Sequence, residues 1–326
     1  MLENGLRVIV IEDHRIPAVS HNLLFKFGAA DDPRGKSGLA HYMEHMLFQG
    51  TKEHAPNEYS KLIAAKGGKS NAFTSADYTG YWVNIAKENL SLVMELEADR
   101  IQNLQSSDEE FAKEKQVILE ERRMRVDNNP DALFAEQMNA ALYLHYPYGI
   151  PIIGWAQEME SLDKKAVMDF YHAYQHPGNA VLVLSGDITA AQARELAERY
   201  YAPVPAREGK VAPRVEEPPQ LAPRRVTMHH ERVKQPEWDK VYVTPSYGWQ
   251  AAENKSKFIP LLIADYLLGG SKTSRLYQLL VEKKRLAQAV DTDFNPFRRG
   301  PGEFAIDVVP VAEKNIPEIE KLVAQY

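Results

Sequence analysis

Two histidines and a glutamate lie within five residues of an otherwise apolar segment, GLAHYMEHMLFQGT, which runs from Gly38 to Thr51. His41 and His45 are four residues apart, so a helix would place them on one face with their Cβ atoms about 5–6 Å apart, within reach of one metal ion. Glu44 projects beside them. The spacing H-x-x-E-H is the inverse of the H-E-x-x-H zinc motif, and both place two imidazoles on zinc and a carboxylate against its bound water.

This combination of side chains is suited to hydrolysis. Zinc lowers the pKa of a bound water to about 7, and a carboxylate that is not itself a ligand can take the proton and later give it to a departing amine. We therefore predict that His41 and His45 bind zinc and that Glu44 is the general base of a peptide hydrolase. The alternative is that the histidines only line a core helix, which three matched positions on one helix disfavour.

A catalytic zinc needs a third protein ligand and an open fourth position, and one helical turn supplies only two ligands. The helical segment EFAKEKQVILEERRMRV contains four candidate carboxylates: Glu110, Glu114, Glu120 and Glu121. Glu114 and Glu121 are seven residues apart and share a helical face. Val117 and Ile118 indicate that this face points inward, whereas Glu120 points away. An inward carboxylate is costly unless it is paired or bound to metal, so Glu114 and Glu121 both remain candidates.

Apolar periodicity alternates between strand and helix spacing through the first part of the chain. Strands are predicted at Leu6–Asp13, Ser20–Ala30, Asn71–Ala86 (a strand or hairpin) and Ala180–Ile188. Helices are predicted at Leu39–Phe48, Glu58–Gly68, Glu88–Leu104 and Asp108–Val126. Interleaved helices and strands are typical of α/β or α+β folds.

A second histidine pair, His172 and His176, has the same spacing as the first but no carboxylate between its members. Pro177 is expected to end a helix at His176, which favours structural roles near a helix C-terminus. We predict that neither histidine binds metal.

The second part of the chain repeats the element order of the first. A proline-rich, charged stretch without apolar periodicity indicates a linker. Beyond it, a strand is predicted at Lys240–Thr244, helices at Lys257–Leu268 and Thr273–Lys284, and a strand at Phe304–Val311. We predict a catalytic domain at 1–208, a linker at 209–224, and a homologous second domain at 225–326. The second domain lacks the zinc motif and is shorter than a domain of about 200 residues, so we expect it to be C-terminally incomplete.

Composition and charge exclude several other classes. Thirty-nine Lys and Arg against forty-five Asp and Glu give a net charge of -6, which disfavours nucleic acid as a partner. No run of about 18 apolar residues could span a membrane, and the N-terminus lacks the order of a secretory signal. We therefore expect a soluble protein, and its compartment, cytoplasm or periplasm, stays open. The chain has no cysteine, so any metal must be bound by His, Asp or Glu.

Taken together, several segments resemble the pitrilysin and mitochondrial-processing-peptidase family of H-x-x-E-H zinc peptidases, the inverzincins. The segments are HYMEH, KGGKSNAFTSADYT, EKQVILEERR, YPYGIPIIGW and YQHPGNAVLVLSGDI. In that family the third zinc ligand is the second glutamate of E-x6-E, which implies Glu121 here. The first glutamate of the pair supports the zinc site by contacting a ligand, which implies that role for Glu114.

The same resemblance implies a fold and a way of binding substrate. The family has an α+β fold of duplicated domains, each a mostly antiparallel sheet covered by helices, and the domains close as a clamshell around short or unfolded peptides. Its segment after the paired glycines is an edge strand that takes extended peptides by strand addition. This implies that Asn71, Ala72 and Phe73 guide the substrate.

One departure from the family pattern concerns a partner. Single-chain relatives carry an Arg and a Tyr, seven residues apart, that help to hold the substrate carbonyl, whereas the matching positions here are Glu303 and Pro310. The chain therefore resembles the catalytic subunit of a two-subunit bacterial member, with the pair supplied by a homologous partner or by a second copy in a homodimer. The alternative is a non-catalytic peptide-binding or assembly subunit, which the intact Glu44 and Glu121 disfavour.

Overall fold

The chain forms two compact units. The computed structural model describes residues 1–207, 213–249 and 258–326. The first unit comprises Met1–Asn129 and Pro147–Val215, and the second comprises Pro130–Tyr146 and Glu216–Tyr326. The division after Val215 lies within the predicted linker, of which residues 209–212 lie outside the described residues. The segment Pro130–Tyr146 groups with the second unit, whereas the predicted catalytic domain at 1–208 includes it. The domain limits stay a prediction.

The first unit is built on a mixed, mostly antiparallel sheet. Its strands are β1 Arg7–Glu12, β2 Ala18–Phe25, β3 Lys69–Thr74, β4 Thr79–Ala86 and β5 Ala180–Gly186. They lie in the order β1-β5-β2-β4-β3. Only the β1–β5 pair is parallel. The hairpin alternative for the segment 71–86 is therefore the one that the structure adopts, and β3 is an edge strand.

Helices cover one face of this sheet. Those of the first unit are α1 Leu39–Met46, α2 Glu58–Ala65, α3 Leu90–Asn103, α4 Asp108–Arg122, α6 Ala156–Ser161, α7 Lys164–Tyr174 and α8 Ala190–Tyr200, whereas α5 Pro130–Leu142 belongs to the segment that groups with the second unit. A π-helical turn, Arg123–Asp127, extends α4. Alternate residues of β2 are buried, as expected for a strand with one covered face. Leu23 and Phe25 of β2 share a core with Met43 of α1 and Phe170 of α7, so the sheet and α7 together fix the position of α1.

The helix α7 ends earlier than the sequence predicts. Its last residue is Tyr174, and Pro177 opens a short 3-10 turn, Pro177–Asn179. The prediction that the helix continues to His176 is wrong, because the residue before a proline is restricted to extended backbone. His176 has that conformation, with φ −149° and ψ 157°.

The second unit has a smaller sheet of antiparallel strands. Its elements are β6 Trp238–Thr244, α9 Phe258–Leu268, α10 Arg275–Tyr277, β7 Ala287–Phe294, β8 Gly302–Pro310 and α11 Ile316–Val323. A π-helical turn, Gln278–Lys283, follows α10, so the predicted helix at Thr273–Lys284 is α-helical only over Arg275–Tyr277. Lys257, the predicted first residue of α9, lies outside the described residues. The strand order β6-β8-β7 corresponds to β2-β4-β3 of the first unit.

Together these sheets and helices confirm the predicted α+β class. Among the described residues, no helix combines the length and the apolar character that crossing a membrane would require.

Candidate metal centre

The helix that carries the H-x-x-E-H motif is fixed at its first turn. Its N-cap residue, Gly38, has φ +90°, and a Cβ there would approach Met159 Sδ to 2.3 Å. A glycine is therefore required by both conformation and space. The carboxylate of Asp32 accepts hydrogen bonds from the backbone N–H groups of Gly38 at 2.7 Å and Ala40 at 2.9 Å. These contacts satisfy amides that have no partner within the helix.

His41 and His45 of α1 meet Glu121 of α4 at a half-buried site. Oε2 of Glu121 lies 3.7 Å from Nε2 of His41 and 3.2 Å from Nε2 of His45. One ligand atom from each of the three residues lies within 4.8 Å of the others, and no further group of this kind occurs in the part of the chain that the structure describes. Ligands bound tetrahedrally to zinc at 2.0–2.1 Å are about 3.3 Å apart. The observed separations fit such an ion.

Glu114 contacts one of the histidines from behind. Its Oε1 lies 2.7 Å from Nδ1 of His45, and its Oε2 accepts a hydrogen bond from Nε2 of Gln49 at 2.5 Å. If Nδ1 of His45 donates to this carboxylate, the ring is held with Nε2 directed to Glu121. A carboxylate behind a ligating imidazole fixes its tautomer and orientation in many metal sites.

The electrostatics of the site suit a divalent cation. Burial, assisted by the charge of His45, lowers the pKa of His41 to about 4. Burial alone would lower the pKa of His45, but its hydrogen bonds with Glu114 and Glu121 outweigh burial and raise it to about 9. The hydrogen bond with His45 also lowers the pKa of Glu121. Without metal, a proton on His45 balances the two carboxylates, and metal binding would release it.

Glu44 lies beside these residues without belonging to the ligand group. Its Oε2 accepts a hydrogen bond from Oγ1 of Thr74, the last residue of β3, at 2.6 Å. Burial outweighs this hydrogen bond and raises the pKa of Glu44. A carboxylate with a raised pKa that stays outside the ligand set is suited to accepting and returning a proton.

The remaining glutamates of α4 have other roles. Glu110 caps the helix, because its carboxylate accepts a hydrogen bond from the amide of Ser107 at 2.7 Å. Glu120 is exposed and pairs with Arg123. Ile118 is buried as predicted, but the prediction for Val117 is wrong, since 47% of it is exposed. At about 100° per residue, Val117 lies on the flank of the face that Glu121 and Ile118 share.

Three contacts of the site were not predicted from the sequence. They involve Gln49, Thr74 and Arg125, whose Nη1 lies 2.9 Å from Oε1 of Glu121. Gln49 is four residues after His45, and Arg125 is four after Glu121, so helical spacing could have found both. Thr74 reaches Glu44 from another element, and no local pattern marks that contact.

The predicted substrate-guiding residues lie on the outer strand. β3 pairs with β4 alone, with Ala72 opposite Tyr81. Asn71 and Phe73 are exposed, and Ala72 is half-buried. Strand β3 therefore has one backbone edge that is not used by the sheet.

The positions expected for the Arg and Tyr pair lie at the two ends of β8 in the second unit. Glu303 accepts a hydrogen bond from Tyr143 and lies 2.6 Å from Nη1 of Arg298. Pro310 ends the strand. Neither residue can donate a hydrogen bond to a carbonyl as an Arg or a Tyr would.

The site combines two histidines from one helix with a glutamate from another helix of an α+β fold. This arrangement is typical of the zinc sites of metallopeptidases. The chain belongs to the peptidase M16 family. The family model described as "Insulinase (Peptidase family M16)" matches residues 7–155, and "Peptidase M16 inactive domain" matches residues 161–326.

Relatives of this chain are named zinc proteases. "Zinc protease PqqE" of Helicobacter pylori is 32% identical over 289 residues, which cover 88% of this chain and 64% of that protein. An "Uncharacterized zinc protease" of Rickettsia bellii is 28% identical, over 91% of this chain and 69% of that protein. The chain thus spans about two thirds of the length of these relatives.

Solved structures share the fold. A protease from Helicobacter pylori superposes with a TM-score of 0.89 at 28% identity, over 100% of this chain and 78% of that chain. Pitrilysin superposes with a TM-score of 0.77 at 19% identity, over 99% of this chain and 34% of that chain. The second comparison supports the fold alone.

Proposed function

We propose that this protein is a zinc metalloendopeptidase that hydrolyses short or unfolded peptides. The observation that carries the proposal is the convergence of His41, His45 and Glu121, with ligand atoms within 4.8 Å of one another, beside a Glu44 that is not a ligand. When bound, zinc would lower the pKa of water to about 7 and polarise the carbonyl of the substrate. His41, His45 and Glu121 hold the ion in this proposal.

The other polar residues of the site orient groups or move protons. Glu114 holds the ring of His45 through the contact at Nδ1. Glu44 takes a proton from the attacking water as the C–O bond forms. It then gives this proton to the amine nitrogen as the peptide C–N bond breaks, so the carboxylate is regenerated at the end of each cycle.

The free edge of β3 supports a substrate in extended form. A peptide that adds as a further strand gains backbone hydrogen bonds without sequence preference, and the side chains that alternate along it supply specificity. Asn71, Ala72 and Phe73 are the residues that would guide it. This mode of binding favours peptides that are not already folded, because their backbone groups are available.

The first test is a comparison of the wild type with Glu44→Gln and with Glu120→Gln as a matched control, since Glu120 is exposed and outside the site. We expect all three proteins to bind one zinc. Cleavage of a quenched unstructured peptide should fall on the order of 10²–10⁴-fold in Glu44→Gln only. A zinc-loaded wild type that cleaves no peptide under any condition would instead favour the non-catalytic peptide-binding subunit.

We further propose that a homologous partner subunit, or a second copy of this chain, supplies an Arg and Tyr pair to the site. Support comes from Glu303 and Pro310, which occupy the matching positions and lack the donors that such a pair offers. The purified chain should therefore gain activity when a homologous partner is added, or as its own concentration rises through the range of dimer formation. Full activity at concentrations where sedimentation shows only monomer would contradict a partner.

A further inference from the structure

The side chain of Thr74 joins two elements of the site. Thr74 ends β3, and its Oγ1 donates a hydrogen bond of 2.6 Å to Oε2 of Glu44 in α1. Alternation along the strand places Ser70, Ala72 and Thr74 on the half-buried face, while the residues between them are exposed. The strand that offers its edge to a peptide is thus tied to the carboxylate of Glu44.

We infer that Thr74 is a positioning residue that fixes the Glu44 carboxylate in register with the substrate strand. This inference rests on the proposed function. Holding Oε2 leaves Oε1 of Glu44 as the oxygen that meets the attacking water. The side chain of glutamate has three rotatable bonds, so without an anchor its carboxylate would sample positions out of reach of that water.

A neighbouring hydroxyl supports this direction of the hydrogen bond. Oγ1 of Thr79 lies 3.4 Å from Oγ1 of Thr74 and can donate to it. Thr74 then accepts from Thr79 and donates its own proton to Glu44. The buried Thr79, with 0% exposure, thus orients the hydroxyl that holds the base.

The hairpin itself does not depend on the Thr74 hydroxyl. Its turn is closed by Ser75, whose amide donates to the carbonyl of Tyr78 at 2.9 Å. Oγ of Ser75 also accepts hydrogen bonds from the amides of Asp77 at 3.2 Å and Tyr78 at 3.0 Å. Removal of the Thr74 hydroxyl should therefore change the position of Glu44 and leave the turn intact.

The test compares Thr74→Val, which keeps the branched shape without the hydroxyl, with Thr74→Ser, which keeps the hydroxyl. Ser70→Ala is the control, because it removes a hydroxyl from the same face of the same strand. The zinc-loaded full chain, with any partner that the wild type requires, is assayed on a quenched unstructured peptide. Zinc content and thermal unfolding are measured for each variant, and metal-free crystal structures locate the Glu44 carboxylate in the wild type and in Thr74→Val.

We expect kcat of Thr74→Val to fall about 10–100-fold, since a displacement near 1 Å at a reacting group can cost on the order of 10²-fold. The KM of Thr74→Val should stay within about twofold of the wild-type value, and its zinc content should be unchanged. Thr74→Ser should recover most of kcat, and Ser70→Ala should match the wild type. The Glu44 carboxylate should shift in the Thr74→Val crystal.

Three results would overturn the inference. They are a wild-type kcat in Thr74→Val, an unmoved carboxylate in its crystal structure, or a loss of zinc and stability that Thr74→Ser does not correct. If the wild type itself is inactive, the proposed function fails, and a catalytic role for Thr74 fails with it. If the wild type cleaves the peptide and Thr74→Val is equally active, only the inference about Thr74 fails and the proposed function stands.

Discussion

His45 is held between two carboxylates, with Nδ1 at 2.7 Å from Glu114 and Nε2 at 3.2 Å from Glu121. Only the second lies in the group that can hold a metal. The roles of the two glutamates can be distinguished by experiment. In the proposal Glu121 binds the metal, whereas Glu114 contacts only the imidazole of His45.

We predict that Glu114→Ala weakens zinc binding about 10–100-fold, the usual cost of losing a group that orients a ligand. The measurement is competition with a chelator of known zinc affinity. Glu120→Ala, on the exposed face of the same helix, should bind zinc as the wild type does. Equal zinc affinity in Glu114→Ala and wild type would show that the contact with His45 does not orient the ring.

The motif residues of the site could be predicted because their relation is local. Three positions on one helical turn follow from sequence spacing alone. Sequence spacing did not decide between Glu114 and Glu121, since both share the inward face of α4. Only the family resemblance implied Glu121. Thr74 could not be foreseen at all, because its contact with Glu44 depends on how β3 packs against α1.

Among the elements of the first unit, the C-terminal segment is linked to two loops by ion pairs of Arg214. Its side chain is 11% exposed and pairs with Asp31 at 2.7 Å, beside the loop that leads into α1. It also pairs with Asp77 in the turn between β3 and β4. A buried charge pair whose partner is removed leaves an uncompensated charge in the interior.

We predict that Arg214→Met destabilises the first unit by about 3–5 kcal/mol. Arg225→Met is the matched control, because Arg225 is 67% exposed and its pair with Glu320 should contribute about 0–1 kcal/mol. Denaturant unfolding monitored by fluorescence compares the two. Similar effects of both substitutions would contradict a special role for the buried cluster.

The buried His21 of β2 should make stability depend on pH. Burial lowers its pKa to about 4, whereas an unfolded chain would titrate near about 6.5. Below that value the unfolded state binds a proton that the folded state excludes. The contribution of His21 is therefore complete above about pH 6.5 and is lost as the pH falls toward 4, at about 1.4 kcal/mol per pH unit.

The corresponding measurement is the free energy of unfolding of the wild type and of His21→Gln between pH 7 and pH 4.5. The glutamine can keep a hydrogen bond to Tyr201, which lies 2.8 Å from Nε2 of His21, but it does not titrate. We expect the free energy of unfolding of His21→Gln to fall less steeply than that of the wild type as the pH is lowered. Parallel curves would show that His21 is not the titrating group.

Periodicity located most elements but not all of their ends, since the strand predicted at Ser20–Ala30 spans Ala18–Phe25. The strand at Leu6–Asp13 and the helix at Leu39–Phe48 were predicted within two residues. The end of α7 was predicted two residues too late, because the residue before Pro177 is restricted to extended backbone. The π-helical turn at Gln278–Lys283 was not predicted. Sequence spacing also gave no sign that β1 and β5 pair in parallel.

At the scale of the whole molecule, chain order and spatial grouping differ. The segment Pro130–Tyr146 lies between two parts of the first unit in sequence but groups with the second. Glu217 explains this grouping, since its buried carboxylate accepts hydrogen bonds from the amides of Leu144 at 2.9 Å, His145 at 3.0 Å and Tyr146 at 2.7 Å. The position of Glu217 in a proline-rich linker did not predict that its carboxylate binds these amides.

We predict that Glu217→Gln, which replaces one acceptor oxygen by a donor, raises hydrogen exchange at the amides of residues 144–146 by at least about tenfold, equivalent to about 1.4 kcal/mol. Exchange in β2 and β4 of the first unit should not change. Glu216→Gln, one residue earlier, is the control. Equal protection of residues 144–146 in wild type and Glu217→Gln would argue against this anchor.

The most direct test of the zinc peptidase assignment is to strip the wild type with a chelator, then add zinc back while following bound metal and cleavage of an unstructured peptide together. We expect cleavage to be absent from the stripped protein and to rise in proportion to bound zinc up to one ion per chain, with any required partner present. Cleavage that survives complete removal of metal, or a fully loaded protein that never cleaves, would contradict the assignment as a zinc peptidase.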